Sequence, residues 1–373
     1  MINATPLPFD LPAVARKKLT VDFNGGNQSS DLITPTGPYC ATKPCYLLSC
    51  RRNAEVGMAR NKVQFQRGLS MADFQRGYGT EEQCHAALVA MRWPDGFVCP
   101  RCAQTKYSFC RPKQLFQCSN CGLQTSVRAG TVFQKSKTPL TKWFLAMHLL
   151  TCSKNDISSL ELSRQMDVKW DTAWLIKQKL MEVMLQRNSI YKLGGDIQVD
   201  DAYQGGEKAG KPGRGAANKL PFVIAVETRD GRPIYTQLRV VPGFSNEAVR
   251  DYATENIVAG AHILSDGLAC WNGFDEAGFD HVARITGGGR PTDNAFEWVN
   301  TGLGNTKGAI TGTCRSIDAR HTPRYLAGYE WRYNRRFELP RNLERLARVA
   351  VTIAPTPYAK IAAVRPKAAD LSG

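Results

Sequence analysis

The chain has 373 residues, 43% of them hydrophobic and 22% charged, the composition of a folded globular protein with room for two or three domains. It contains no run approaching the roughly 18 apolar residues of a membrane span, and its first residues lack a charged start followed by an apolar stretch. An integral membrane protein is therefore excluded, a secretory one is disfavoured, and a cytoplasmic place is expected. Forty-nine Lys and Arg against 33 Asp and Glu leave a charge of +16, a surplus that draws polyanions, of which nucleic acid is the commonest large one.

Residues 1–57 mix "NGGNQSSD", "TPTGP" and three cysteines, Cys40, Cys45 and Cys50, with no sustained helical or strand period, so they read as a disordered or non-native extension. Met58 is then the candidate natural start. Residues 58–94 form an N-terminal helical segment.

Next, "CPRCAQTKYSFCRPKQLFQCSNC" places Cys99 and Cys102, then Cys118 and Cys121, in a C-x2-C-x15-C-x2-C pattern. Each knuckle lets two thiolates reach one ion from a tight turn, and two knuckles complete the tetrahedral shell that Zn2+ prefers. In a large chain of cytoplasmic type this reading outranks disulfides. Residues 95–135 are thus expected to be a zinc ribbon, held together by a structural ion, with Cys110 as a spare thiol. Lys106, Arg111, Lys113 and Arg128 decorate it.

From 136 to 190 the apolar residues recur at helical intervals: Trp143, Ala146, Met147 and Leu150, then Leu160 and Leu162, then Trp174, Leu175, Leu180 and Met184. The segment suits a helix-turn-helix-like DNA-binding unit in which 171–185, with Lys177 and Lys179, lies in a DNA groove. It suits equally a helical bundle joining two domains. His148, among apolar residues, reads as a core histidine.

At Gly195 the period changes. "DIQVDDAY", "LPFVIAVET", "PIYTQLRVV" and "AHILSD" are Val- and Ile-rich runs separated by turns, with helix-like "NEAVRDYATENIV" before the fourth. Three strands in hairpin order, a helix and a buried strand is the α/β pattern of a ribonuclease H-like fold, expected over 195–353, though other α/β sheets share it. Asp200 and Asp266 close two of these strands. Carboxylates from distant parts of a chain, converging on a pair of divalent ions, are what two-metal phosphoryl transfer requires, and oxygen ligands with open water positions fit Mg2+ or Mn2+. Alternation puts Ile197, Val199 and Asp201 on one strand face and Gln198 and Asp200 on the other. Asp200 and Asp201 therefore point to opposite faces. Asn300, with 33 residues between it and Asp266, stands where a third acid is expected, with Glu297 as its rival. Lys307 follows two helical turns later.

"GEKAGKPGRGAANK" (206–219), carrying Arg214, reads as a basic hairpin loop, either a solvated turn or a guide for a DNA strand. In "YLAGYEWRYNRRF", Tyr325, Tyr329, Tyr333 and Phe337 recur every four residues as a core stripe, with Arg332, Arg335 and Arg336 interleaved as candidate phosphate contacts. Residues 354–373 read as a flexible tail.

The blocks "KVQFQRGLSMADFQRGYGTEEQC", "WPDGFVCPRC", "VDDAYQGG", "GRG", "SDGLACW", "WVNTGLGNTKGAITGT" and "YLAGYEWRYNRRF", spanning roughly 58–353 in one order, resemble the zinc-ribbon transposases of bacterial insertion-sequence family fifteen ninety-five. The resemblance implies a DNA transposase with a ribonuclease H-like domain and an Asp, Asp, Glu-type triad, some subgroups of which carry Asn third. It places the catalytic residues at Asp200, Asp266, Asn300 and Lys307, which favours Asp200 as the ligand, with Asp201, where the family more often has Glu, a supporting or turn residue. It implies nicking of insertion-sequence ends and joining of the freed 3′-hydroxyl to target DNA. The partners implied are the double-stranded inverted-repeat ends and target, handled by a homo-oligomer at the nucleoid. The alternatives are a catalytically impaired DNA-binding derivative, for which Asn300 is the motive, and a metal-dependent nuclease that cuts without joining.

Overall fold

The computed structural model describes residues 66–205, 219–285, 295–314 and 317–363. The 1–57 extension, Met58, Arg214 and nearly all of the basic loop lie outside the described residues.

The N-terminal helical segment is a pair of helices, each with a side-chain cap. In α1 (Met71–Tyr78) the hydroxyl of Ser70 accepts from the Asp73 N–H, and in α2 (Glu81–Arg92) Thr80 and Gln83 form a reciprocal capping box. The ribbon follows as three short antiparallel strands, β1 (Tyr107–Cys110), β2 (Leu115–Cys118) and β3 (Gln124–Ser126). Three helices come next: α3 (Leu140–Cys152), α4 (Ser159–Met166) and α5 (Trp170–Asn188).

Then comes the large sheet: β4 (Asp196–Gln204), β5 (Leu220–Arg229), β6 (Arg232–Val240), helix α6 (Asn246–Asn256), β7 (His262–Ser265), the short α7 (Asn272–Glu276) and β8 (Asp280–Ala283). Its order is β6-β5-β4-β7-β8, with the first three strands antiparallel and β4, β7 and β8 parallel. Three hairpin-ordered strands, then a helical crossover to a strand beside the first, is the ribonuclease H-like arrangement, and the α/β expectation holds. The chain closes with α8 (Glu297–Cys314), α9 (Thr322–Asn334), α10 (Asn342–Ala350) and α11 (Tyr358–Ala362).

Period-two patterning of the sheet separates two cores. Ile197, Val199, Val223 and Ala225 bury one face beneath α6 and α7, with Tyr252, Trp271 and Phe274. Ala202, Phe222, Ile224 and Val226 bury the other beneath α8 and α9, with Val299, Leu326 and Tyr329. A third core gathers α1 to α5 with α9 and α10, around Trp143, Phe144, Met181 and Trp331. Helix α9 thus serves two cores, with Leu326 and Tyr329 toward the sheet and Ala327 and Trp331 toward the helices. Polar ties reinforce the junction: Glu330 pairs with Arg239 of β6 at 2.6 Å, and Arg324 with Glu182 of α5 at 2.8 Å, all four side chains nearly buried.

The packing at this junction supports the bundle reading of 136–190. Helix α5 buries Ala173, Ile176, Lys177, Leu180, Met181 and Met184, so most of its length packs inside a bundle, while its two ends and the half-buried Lys179 reach the surface. The tail reading of 354–373 fails at its start, because α11 inserts Ile361, fully buried, against α5.

Candidate active site and zinc ribbon

At the ribbon both knuckles have the same local geometry. The Cys99 N–H donates to the Gln104 carbonyl and the Cys118 N–H to the Leu123 carbonyl, each at 2.9 Å, and each turn passes through a left-handed residue, Ala103 or Gly122. The four sulfurs converge within 4.8 Å of one another, with Cys99 3.6 Å from Cys121 and Cys102 3.5 Å from Cys118. Tetrahedral Zn–S bonds of ~2.3 Å put sulfurs about 3.8 Å apart, so the residues fit that ion closely. Backbone donation from Gln104 holds the Cys102 thiol down at about 6, toward the thiolate a metal takes. Cys110 stands apart from this cluster, as its spare role requires.

In the large sheet, register brings the aspartates together. The parallel ladder pairs Asp196 with His262, Ile197 with Ile263 and Gln198 with Leu264; the same offset continued past the end of β7 sets Asp266 abreast of Asp200. Gly267 then turns the chain at φ +83°, where an added Cβ would come 2.9 Å from Ile285. The turn carries Leu268 and Trp271 back, and the Leu268 N–H and Trp271 indole N–H both donate to Asp266 Oδ1, at 3.2 and 2.8 Å. Below it, Ser265 Oγ lies 2.8 Å from His281 Nε2, whose Nδ1 lies 2.9 Å from Asp275. This resembles a nucleophile relay, but Ser265 is fully buried; the bonds anchor the end of β7.

Asp200, Asp201 and Asp266 bring carboxylate oxygens within 4.8 Å of one another. Burial, then the charges of Asp201 and Asp266, push the Asp200 carboxyl up to about 6, partly offset by the Lys307 ammonium. Three crowded carboxylates are a donor set whose mutual repulsion a hard divalent cation relieves, and oxygen-only ligands suit Mg2+ or Mn2+. Asp201 joins the cluster although alternation assigns it to the opposite face of β4.

Gln198, two residues before Asp200 on the same face, accepts from the N–H groups of Trp298 and Val299 and so pins the first turn of α8 beside the cluster. Asn300 lies one turn in, on the exposed face, as does Glu297; Lys307 follows two turns on and is close enough to act on Asp200.

The expected DNA contacts divide. Lys177 is completely buried, its ammonium 2.7 Å from Asp156. Arg332 is 7% exposed, its guanidinium directed to Asp156 and the Leu150 carbonyl. Both cations are committed to the interior and offer nothing to a phosphate, so these two assignments are corrected. Arg335 lies over the Trp331 ring, and Arg336 donates to the carbonyls of Pro233 and Ile234, which ties both to packing. Lys179 is half-buried at the surface of α5, facing a trough.

Comparison with known proteins places these features. Residues 192–334 match the family model of the ISXO2-like transposase domain, and residues 79–124 that of the transposase zinc-ribbon domain. A Halobacterium salinarum protein described as an uncharacterized protein in transposable element ISH50 is 29% identical over 138 residues, which are 36% of this chain and 45% of that one. The match therefore spans less than half of that relative.

Proposed function

The chain belongs to the insertion-sequence transposases that couple a zinc ribbon to an ISXO2-like transposase domain, and we propose that it nicks insertion-sequence ends and joins the freed 3′-hydroxyl to target DNA by metal-dependent phosphoryl transfer. The observation that carries this reading is the convergence of Asp200, Asp201 and Asp266 at one end of a ribonuclease H-like sheet. Divalent ions held there supply Lewis-acid polarisation of the scissile phosphate and a lowered pKa for the attacking water or hydroxyl.

The chain's own residues do the positioning. Asp200 on β4 and Asp266 just past the end of the neighbouring parallel strand β7 place two ligand oxygens by backbone register. Trp271 and the Leu268 N–H orient Asp266. Lys307, on α8, offsets the negative charge and orients the DNA backbone. Asn300 adds a neutral carbonyl oxygen to the donor set. Joining two ends needs two active sites, so a homo-oligomer holding paired ends is part of the proposal. The ribbon supplies end recognition, with most affinity from phosphates.

The test is a strand-transfer assay with cognate ends and Mg2+ or Mn2+. Joined product, abolished by Asp200→Ala and Asp266→Ala, is the expected result. Full joining by Asp266→Ala overturns the assignment, and cutting without joining replaces it with a nuclease. Asn300→Asp should shift the Mg2+ and Mn2+ concentrations needed for half-maximal joining; an unchanged metal requirement removes Asn300 from the ligand set.

A further inference from the structure

A trough of about 820 Å³ opens where the first turn of α5 meets α11, the segment 135–138 and the turn before α9. Two features distinguish it from an ordinary surface depression. Its wall carries aromatic rings facing solvent: Trp170 is 49% exposed and Tyr358 61%, with Trp174 between them, 6.3 Å from Trp170 and near-parallel, and 6.4 Å from Tyr358 and edge-on. Its floor and rim carry three lysines, beside Arg320, which is paired with Asp318. Lys135, Lys137 and Lys179 form no ion pair or hydrogen bond among the described residues, against a single lining acid, Asp171. Lys179 is partly withdrawn from water with no anion to compensate it, which costs free energy that an incoming anion recovers. Lys135 is presented from φ +56°, a conformation that side chains other than glycine rarely hold.

Exposed ring faces beside unpaired ammonium groups match one chemistry. A paired duplex shows proteins its phosphates and base edges, so rings on that surface gain little. An unpaired nucleotide offers a free base face to stack and a phosphate to neutralise. We propose that this trough binds an unpaired nucleotide of a DNA strand, its base on Trp170 and Trp174 and its phosphates on Lys135, Lys137 and Lys179. The site is separate from the aspartate cluster, and its occupancy does not depend on metal-assisted cleavage. It does rest on the reading of the chain as a DNA-handling protein.

The experiment measures binding of the full-length protein, without added Mg2+ or Mn2+, to a 20-base-pair duplex carrying a five-nucleotide thymidine tail, the same tail made abasic, or no tail. The thymidine tail should bind about five- to hundredfold more tightly than the abasic one, the range expected of one stacked base. Trp170→Ala should erase that difference and Trp170→Phe should retain it; Lys179→Gln should weaken both tailed duplexes. Equal binding of thymidine and abasic tails by the native protein overturns the proposal, as does a preference that survives Trp170→Ala. Because no cleavage is read, failure of strand transfer elsewhere leaves the result interpretable.

Discussion

Trp271 donates its indole N–H to Asp266 Oδ1 at 2.8 Å while its ring, fully buried, stacks on Phe274 with centroids 5.6 Å apart. One side chain therefore couples the core beneath α6 to the orientation of a candidate ligand. Trp271→Phe keeps the stacking surface and removes the donor. A hydrogen bond to a charged group contributes about 1.5–3 kcal/mol, so Mn2+ affinity measured by calorimetry should fall about tenfold or more, with a small loss of thermal stability. Unchanged affinity would show that the indole does not hold Asp266 in a ligating position.

Asp200 sets a pH dependence. Its carboxyl is raised to about 6 in the metal-free fold against 3.8 for an ordinary aspartate. The folded state thus holds a proton that the unfolded state has lost between those values, so this group's contribution to stability declines as pH rises from about 4 to 6 and stays low above that. A cation competes with the same proton. Apparent Mn2+ affinity should be flat above pH 6 and weaken toward tenfold per pH unit below it. Asp200→Asn should flatten the corresponding part of the metal-free stability profile. An affinity that is constant from pH 7 to pH 5 would contradict the burial and crowding assigned to Asp200.

Much of this was legible in the sequence because it rests on local periodicity and spacing. The strand run from Asp196 to Ser265 follows from period-two patterning and the ribbon from cysteine spacing. What was not legible depends on tertiary placement. Asp201 enters the cluster against the alternation of β4, and Trp271 reaches Asp266 through the left-handed turn at Gly267. Lys177 reads as a surface cation on a helix, yet Asp156, 21 residues earlier, meets it in the interior. Helix α11 is five residues long, too short for its pattern to stand out, and the burial of Ile361 is what holds it.

The Lys177–Asp156 pair yields a prediction that separates core from DNA surface. Removing one partner of a buried ion pair strands the other, at a cost of about 3–5 kcal/mol. Lys177→Met should lose stability on that scale in urea denaturation. At temperatures where the variant is folded, the slope of log affinity for DNA against log salt should match the native protein, since no phosphate contact is lost. A slope shallower by about one would return Lys177 to the DNA surface.

The ribbon should depend on its ion while the helices do not. Its buried core is Phe97, Phe116 and the cysteines Cys99 and Cys118, flanked by Val89, Trp93, Leu123 and the other two ligand cysteines, and strands of three or four residues bury too little to fold alone. Arg92 donates to the Ser126 and Val127 carbonyls, and His85 and Val89 pack on the ribbon, so α2 ties the ribbon to the large helical core that Cys84 and Leu88 enter. The native protein should therefore carry one zinc per chain by elemental analysis, and Cys118→Ser should carry none. Limited proteolysis of that variant should cut between 95 and 126 and leave 140–188 intact. Protection of 95–126 without zinc would mean that the ribbon is held by packing rather than by its four thiolates.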